Sequence, residues 1–221
     1  MVCVLPSFPA PDVTSLMKVL DALVGVSSEF QIDVVDGNFA APVSWPFVTN
    51  ISDIKQLQSY AAKYLIEFDC MVSEPQQYFD QLAVLDPERV IIHWGSASDL
   101  TATANAARAA GWMVGLAITN DAPMYEVLQV LDQFDYVQVM GIAVVGVQGQ
   151  PFDERTIGTI ALLRSQDSEL EIAVDGSVNQ ETIPALVAAG ATRLAPGSAI
   201  TKADDSAAAY EQLLALANQP V

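Results

Sequence analysis

Positive charge is what this chain has least of. Nine of its 221 residues are Lys or Arg, against 27 Asp or Glu, for a formal net charge of −18. That balance excludes nucleic acid as a partner, because gripping a polyanion takes basic surface. It also restricts how an anionic small molecule could be held. With cations scarce, a phosphate would lean on backbone N–H groups and helix N-termini. Histidine occurs once, as His93, and cysteine twice, as Cys3 and Cys70. The two cysteines sit in strand-like runs without metal-ligand spacing, so free core thiols are expected rather than a disulfide. No apolar run approaches the roughly 20 residues of a membrane span, which argues against a membrane partner. The opening Met1-Val-Cys-Val-Leu-Pro6 has no basic region before its short apolar run. It reads as a first strand rather than a signal peptide, and a cytoplasmic location is expected.

What is present in quantity is apolar: 52% of residues, with only 16% charged, which excludes disorder. Strand-like apolar runs alternate with helix-like patterns along the whole chain. Residues 2–5 lead to a helix at 12–24. Residues 30–35 lead, through a Pro-rich loop at 39–48, to a helix at 51–62. Then come 64–71 with 75–85, 89–93 with 100–110, 113–118 with 124–134, and 136–142 with 154–165. The last pairs are 171–174 with 180–189 and 192–195 with 203–217. Eight such units, at a spacing of about 28 residues, predict a single α/β domain over 1–221 folded as a closed (β/α)8 barrel of the TIM type. A doubly wound open sheet is the competing architecture. It usually has fewer strands and a glycine-rich turn after the first one, where this chain has Pro6-Ser-Phe-Pro9.

Two strand ends carry carboxylates where hydrophobes would be ordinary. Gln31-Ile-Asp-Val-Val-Asp-Gly37 places Asp33 on a β-branched strand, and Leu170-Glu-Ile-Ala-Val-Asp-Gly176 repeats the form with Asp175. A buried carboxylate is costly unless paired or ligated. The plain alternative, that Asp33 braces the following turn, suits Asp36 beside Gly37 better. In a barrel both aspartates face one mouth, because active sites lie at the C-terminal strand ends. Asp69, His93 and Met140 fall at the ends of the third, fourth and sixth strands. Period-two alternation puts Glu67, Asp69 and Met71 on one face. Asp69 could equally cap a loop, and a lone histidine such as His93 could be structural. Three glycine-bearing loops supply backbone donors: Gly146-Val-Gln-Gly-Gln150, Asp175-Gly-Ser177 and Pro196-Gly-Ser-Ala199. Barrels often seat phosphate between the loops after strands seven and eight.

With these residues in place, the chain resembles the ribulose-phosphate 3-epimerase family from Pro6 to about Ile200. Pro6-Ser7 resembles the family's opening Pro-Ser, and Asp33-Val-Val-Asp-Gly-Asn-Phe39 its D-V-M-D-G-H-F. Cys70-Met-Val-Ser-Glu-Pro75 resembles L-M-V-x-x-P. Gly146-Val-Gln-Gly-Gln-Pro-Phe152 resembles G-F-G-G-Q-x-F, Val174-Asp-Gly-Ser-Val178 resembles V-D-G-G-I, and Gly197-Ser-Ala-Ile200 resembles G-S-A-I. The resemblance implies the ribulose-phosphate-binding type of barrel and an isomerase acting on a pentose phosphate. Asp33 and Asp175 would be the acid–base pair exchanging the C3 proton between ribulose 5-phosphate and xylulose 5-phosphate. Ser7, His93, Met71 and Met140 would touch the substrate. Gly146, Gly149, Gln150, Gly176, Ser177, Gly197 and Ser198 would hold its phosphate. A homo-oligomer is also what the resemblance implies.

The resemblance also implies a divalent cation on the aspartates, and the departures fall there. Two family histidine positions are Gln31 and Asp69, leaving the all-oxygen set Gln31, Asp33, Asp69 and Asp175. Such donors suit magnesium or manganese rather than zinc or iron. Otherwise no metal binds, and the crowded carboxylates raise one another's pKa. The phosphate loop departs too, with Val145 for a proline, Gln148 for a glycine and one extra residue after Met140. Two alternatives stand beside the epimerase. One is a catalytically silent sugar-phosphate binder that has lost the metal-ligand histidines. The other is a decarboxylase of the related barrel group, ranked last because Glu67-Phe-Asp69 is followed by no lysine.

Overall fold

A computed structural model of the chain describes residues 1–147 and 149–219; Gln148, the departure noted in the phosphate loop, lies outside the described residues. Nine parallel strand segments form one sheet. They are β1 (Cys3–Val4), β2 (Ser7–Phe8), β3 (Glu29–Val35), β4 (Leu65–Met71), β5 (Arg89–His93), β6 (Met113–Ile118), β7 (Tyr136–Met140), β8 (Glu171–Asp175) and β9 (Arg193–Ala195). The sheet order is β1-β9-β8-β7-β6-β5-β4-β3-β2. Its two ends belong to one stave. β1 pairs with β9 and β2 pairs with β3, while the backbone between them bonds both ways: Leu5 N–H to Leu194 O, and Gln31 N–H to Pro6 O, each 2.9 Å. The stave shifts partner at Pro6, which has no N–H to give. Eight staves therefore close into a barrel. The expected turn at Pro6-Ser-Phe-Pro9 is corrected here, because Ser7 and Phe8 continue the first strand.

Parallel strands buried on both faces need near-continuous apolar runs, and these supply them. The outward residues of β3, Phe30, Ile32 and Val34, are buried against surrounding helices. Those helices are α1 (Val13–Leu23), α2 (Gln58–Ala61), α3 (Phe79–Leu82), α4 (Leu100–Ala109), α5 (Met124–Val130), α6 (Arg155–Gln166), α7 (Ile183–Ala189), α8 (Ser198–Thr201) and α9 (Ser206–Ala217). α1 shows the local logic. Asp12 caps it by accepting from Ser15 N–H at 2.7 Å, and Leu16, Leu20 and Leu23 bury one face. Asp99 and Asp205 cap α4 and α9 in the same way.

Two expected helices are largely replaced by tighter turns. The span 51–62 is a 3-10 helix, Ile51–Leu57, with one α-turn after it. The span 75–85 alternates between 3-10 and α turns. The 3-10 pieces in 75–85 are of the short kind this geometry tolerates, whereas the seven-residue run Ile51–Leu57 is longer than usual for it. The span 203–217 begins later, at Ser206, after the separate four-residue α8.

The inward faces set up the site. Near the N-terminal end of the barrel lumen, Arg193 binds Glu29 (2.6 Å) and Glu67 (3.2 Å), Tyr136 Oη donates to Glu67 (2.9 Å), and Arg89 pairs with Glu171. Above this charged floor Ile91, Ala117, Met140 and Ala173 pack with the Tyr136 ring. Both cysteine thiols are free.

Candidate active site

Strand register assembles the mouth. Asp33 on β3 lies beside Asp69 on β4, Ser7 on β2 beside Gln31, and Met140 on β7 beside Asp175 on β8. A cavity of about 350 Å3 opens there. Its chemical end is lined by Ser7, Asp33, Met71, Met140 and Asp175. Asp33 and Asp175 are the only carboxylates that line it among the described residues, and they are just 4% and 7% exposed.

Burial dominates their electrostatics. It pushes the Asp33 carboxyl well above the usual carboxylate range, and the charges of Asp175 and Asp69 add to the effect; the Gln31 amide, donating at 3.0 Å, opposes it. Asp175 is raised by burial first and by Asp69 second, against the Gly176 N–H and the Ser7 hydroxyl, whose Oγ stands 3.4 Å from Asp175 Oδ1. Two carboxyls in one another's field favour a single negative charge between them.

Asp69 is engaged elsewhere. Its Oδ1 meets His93 Nε2 at 2.7 Å, and its Oδ2 accepts from Gln138 Nε2 at 2.9 Å. The side chain is fully buried and does not line the cavity, nor does Gln31, whose Oε1 is buried without a hydrogen-bond partner. Among the described residues no group of three His, Cys, Asp or Glu side chains is arranged to hold a metal. As arranged, then, the carboxylates of the set Gln31, Asp33, Asp69 and Asp175 are not gathered as such a group.

His93, expected to touch substrate, is not among the residues that line the cavity. The ring is 2% exposed, lies against Phe39 with centroids 5.4 Å apart, and turns its Nε2 onto Asp69 behind the cavity wall. Its place at the end of the fourth strand was legible in the sequence, but not which neighbour it would bond.

The other end of the cavity is built from backbone. Gly146, Gly149, Gln150, Gly176, Ser177, Gly197 and Ser198 all line it. The Gln150 amide does not reach for a ligand: it binds the Val144 and Val147 carbonyls and the Val144 N–H, holding its own loop in shape. Ser177 Oγ donates to Gln150 O at 2.5 Å, which ties the loop after β8 to the loop after β7. The two strand exits also touch directly, since a Cβ on Gly141 would stand 2.1 Å from Gly176 O. Only glycine fits position 141.

Comparison with known proteins agrees with this architecture. Residues 3–201 match the family described as the ribulose-phosphate 3 epimerase family. The chain belongs to the ribulose-phosphate 3-epimerase family. A ribulose-phosphate 3-epimerase of Schizosaccharomyces pombe is 28% identical over 199 residues, covering 88% of this chain and 85% of its own. One of Bacillus subtilis is 26% identical over 219 residues, covering 96% and 98%. Among solved structures, KGPDC of Streptococcus mutans, in a ligand complex, superposes with a TM-score of 0.75 at 12% identity, covering 97% and 96% of the two chains. A 3-hexulose-6-phosphate synthase gives 0.69 at 20%, covering 98% and 99%. At these identities the structural likenesses establish the fold alone.

Two site residues of this family member escaped the sequence reading. Gln138 was missed although it shares the inward period of Tyr136 and Met140 on β7. Lys202, which lines the cavity beside Ser198 and Ala199, was missed although a cation five residues past Gly197 was a visible signal in so acidic a chain.

Proposed function

We propose that this chain interconverts ribulose 5-phosphate and xylulose 5-phosphate, with Asp33 and Asp175 moving the proton at C3. The observation that carries the reading is the pair itself: two buried carboxyls, on β3 and β8, lining one cavity and each raised by burial and by neighbouring charge. A C3 proton lies next to the C2 carbonyl, so its removal gives an ene-diolate rather than a bare carbanion. Epimerisation takes the proton from one face and returns one to the other. That needs one ionised and one protonated carboxyl, the state that a buried, mutually repelling pair adopts.

The surroundings suit the task. Met71 and Met140 form an apolar wall that limits water, which would otherwise compete for the intermediate. Ser7 stands 3.4 Å from Asp175 and orients its carboxyl. The backbone of the Gly176-Ser177 and Gly197-Ser198 loops supports a phosphate at the far end, so the bound class is a small phosphorylated sugar.

The test is turnover of ribulose 5-phosphate in heavy water, followed by NMR. The wild-type protein should produce both epimers with deuterium at C3. Asp175→Asn should lower turnover by about 10²–10⁴-fold, the usual weight of a general acid–base group. Full turnover in that variant would remove the two-aspartate reading. Sugar phosphate bound without any exchange would mean a pocket kept and its chemistry lost.

A further inference from the structure

We propose that Lys202 recognises the phosphate and sets the cavity's preference for phosphate esters over uncharged sugars. For the identity of the ligand this rests on the sugar-phosphate reading above; its structural grounds do not involve the aspartate pair.

The nine cations account for themselves. Arg89, Arg108, Arg155 and Arg193 are each in an ion pair with at least one carboxylate. Arg164 is committed to the carbonyls of Asp167, Ser168 and Gly190, and the Lys63 ammonium lies over the Tyr60 ring. Lys18, Lys55 and Lys202 are in no ion pair among the described residues, and of these only Lys202 lines the cavity. Asp204 and Asp205 follow it closely in sequence, yet neither forms an ion pair with it among the described residues. Asp205 is occupied in accepting from Ala208 N–H as the cap of α9.

Its position is fixed by backbone. Lys202 ends α8, with its N–H on Ser198 O at 3.2 Å, so the side chain springs from the same turn as the Gly197-Ser198 loop. Glu and Asp outnumber basic residues by 18, and the cavity's other ionisable side chains are two acids. A phosphate dianion approaching this mouth meets net repulsion. Backbone N–H groups are dipoles and cannot reverse the sign of the field at a distance. One ammonium at the phosphate end offsets that repulsion locally, within about a Debye length, and chiefly in the bound contact.

The experiment measures binding of inorganic phosphate and of ribose 5-phosphate to the wild type, Lys202→Gln and Lys202→Arg by calorimetry, alongside epimerase kinetics. Lys202→Gln should weaken both ligands about tenfold, raise KM by a similar factor and leave kcat within about twofold. Lys202→Arg should restore most of the affinity, and added salt should weaken the wild type more steeply than Lys202→Gln. Phosphate affinity and KM unchanged in Lys202→Gln would overturn the proposal while leaving the epimerase reading intact. Lysine-dependent phosphate binding in a protein that turns over no ribulose 5-phosphate would support it and sink the epimerase reading instead.

Discussion

Ser177 holds a backbone conformation that side chains rarely adopt. Its φ is +54°, directly after Gly176 at +95°, and it lines the cavity. The left-handed region costs a residue with a Cβ about 1–2 kcal/mol, and the resemblance places a glycine at this position. What the serine adds is the hydroxyl bond to Gln150 O, worth about 0.5–1.5 kcal/mol as a net contribution. The two terms nearly cancel, so variants should separate them. Ser177→Gly relieves the backbone and loses the tie, and its denaturation midpoint should stay close to that of the wild type. Ser177→Ala keeps the backbone penalty and loses the tie, and should be about 1 kcal/mol less stable. An alanine variant as stable as the wild type would show that the tie contributes nothing. At this scale the strand-end aspartates and glycine loops were legible, because alternation and turn chemistry are written locally. The bonds of Asp69 were not: His93 and Gln138 reach it from β5 and β7, and no local pattern in β4 announces partners on other strands.

Elements at the mouth are pinned to one another by Asp36. Its carboxylate accepts from the N–H groups of Asn38 (2.8 Å) and Phe39 (2.9 Å) in its own loop, and of Ser73 (2.9 Å) beyond the end of β4. Burial alone would raise this carboxyl, but the three backbone donors and the Asn38 amide outweigh it and hold it below its ordinary value. A pKa lower in the folded than in the unfolded chain favours folding above the unfolded value of about 4. That contribution disappears as pH falls through the folded pKa. Acid should therefore loosen the loops after β3 and β4. In Asp36→Asn the pH dependence of stability below about pH 4 should be shallower than in the wild type, as read by denaturant midpoints across pH. An unchanged slope would remove Asp36 from the account. Element order and type were legible from the alternation of period-two and helical patterns. The 3-10 turns at Ile51–Leu57 and Pro75–Tyr78 were not, since an apolar stripe does not distinguish a tight helix from an ordinary one.

On the scale of the whole molecule, the barrel's closure and its charge are linked through Arg193. It stands on β9, on one side of the divided first stave, and its guanidinium crosses the lumen to Glu29 on β3 and Glu67 on β4, on the other side. The seam where β1 and β2 change partners is thereby clasped from within. The cluster was hidden in the sequence for a definite reason. Net charge counts residues without regard to place, so −18 described a surface while two of the nine cations were committed to the lumen floor. The signal that existed was acids and arginines recurring at strand starts, as at Glu29, Arg89, Glu171 and Arg193. Removing one partner of a buried pair leaves the other charged and desolvated, which typically costs about 3–5 kcal/mol. Arg193→Met should bring that loss, and hydrogen exchange should accelerate first in the amides that bridge the seam, those of Leu5 and Gln31. The paired replacement Arg193→Met with Glu67→Gln removes one of the two stranded acids and should recover part of the stability. Loss of stability without faster exchange at Leu5 and Gln31 would mean that the floor supports the barrel evenly and does not hold its seam.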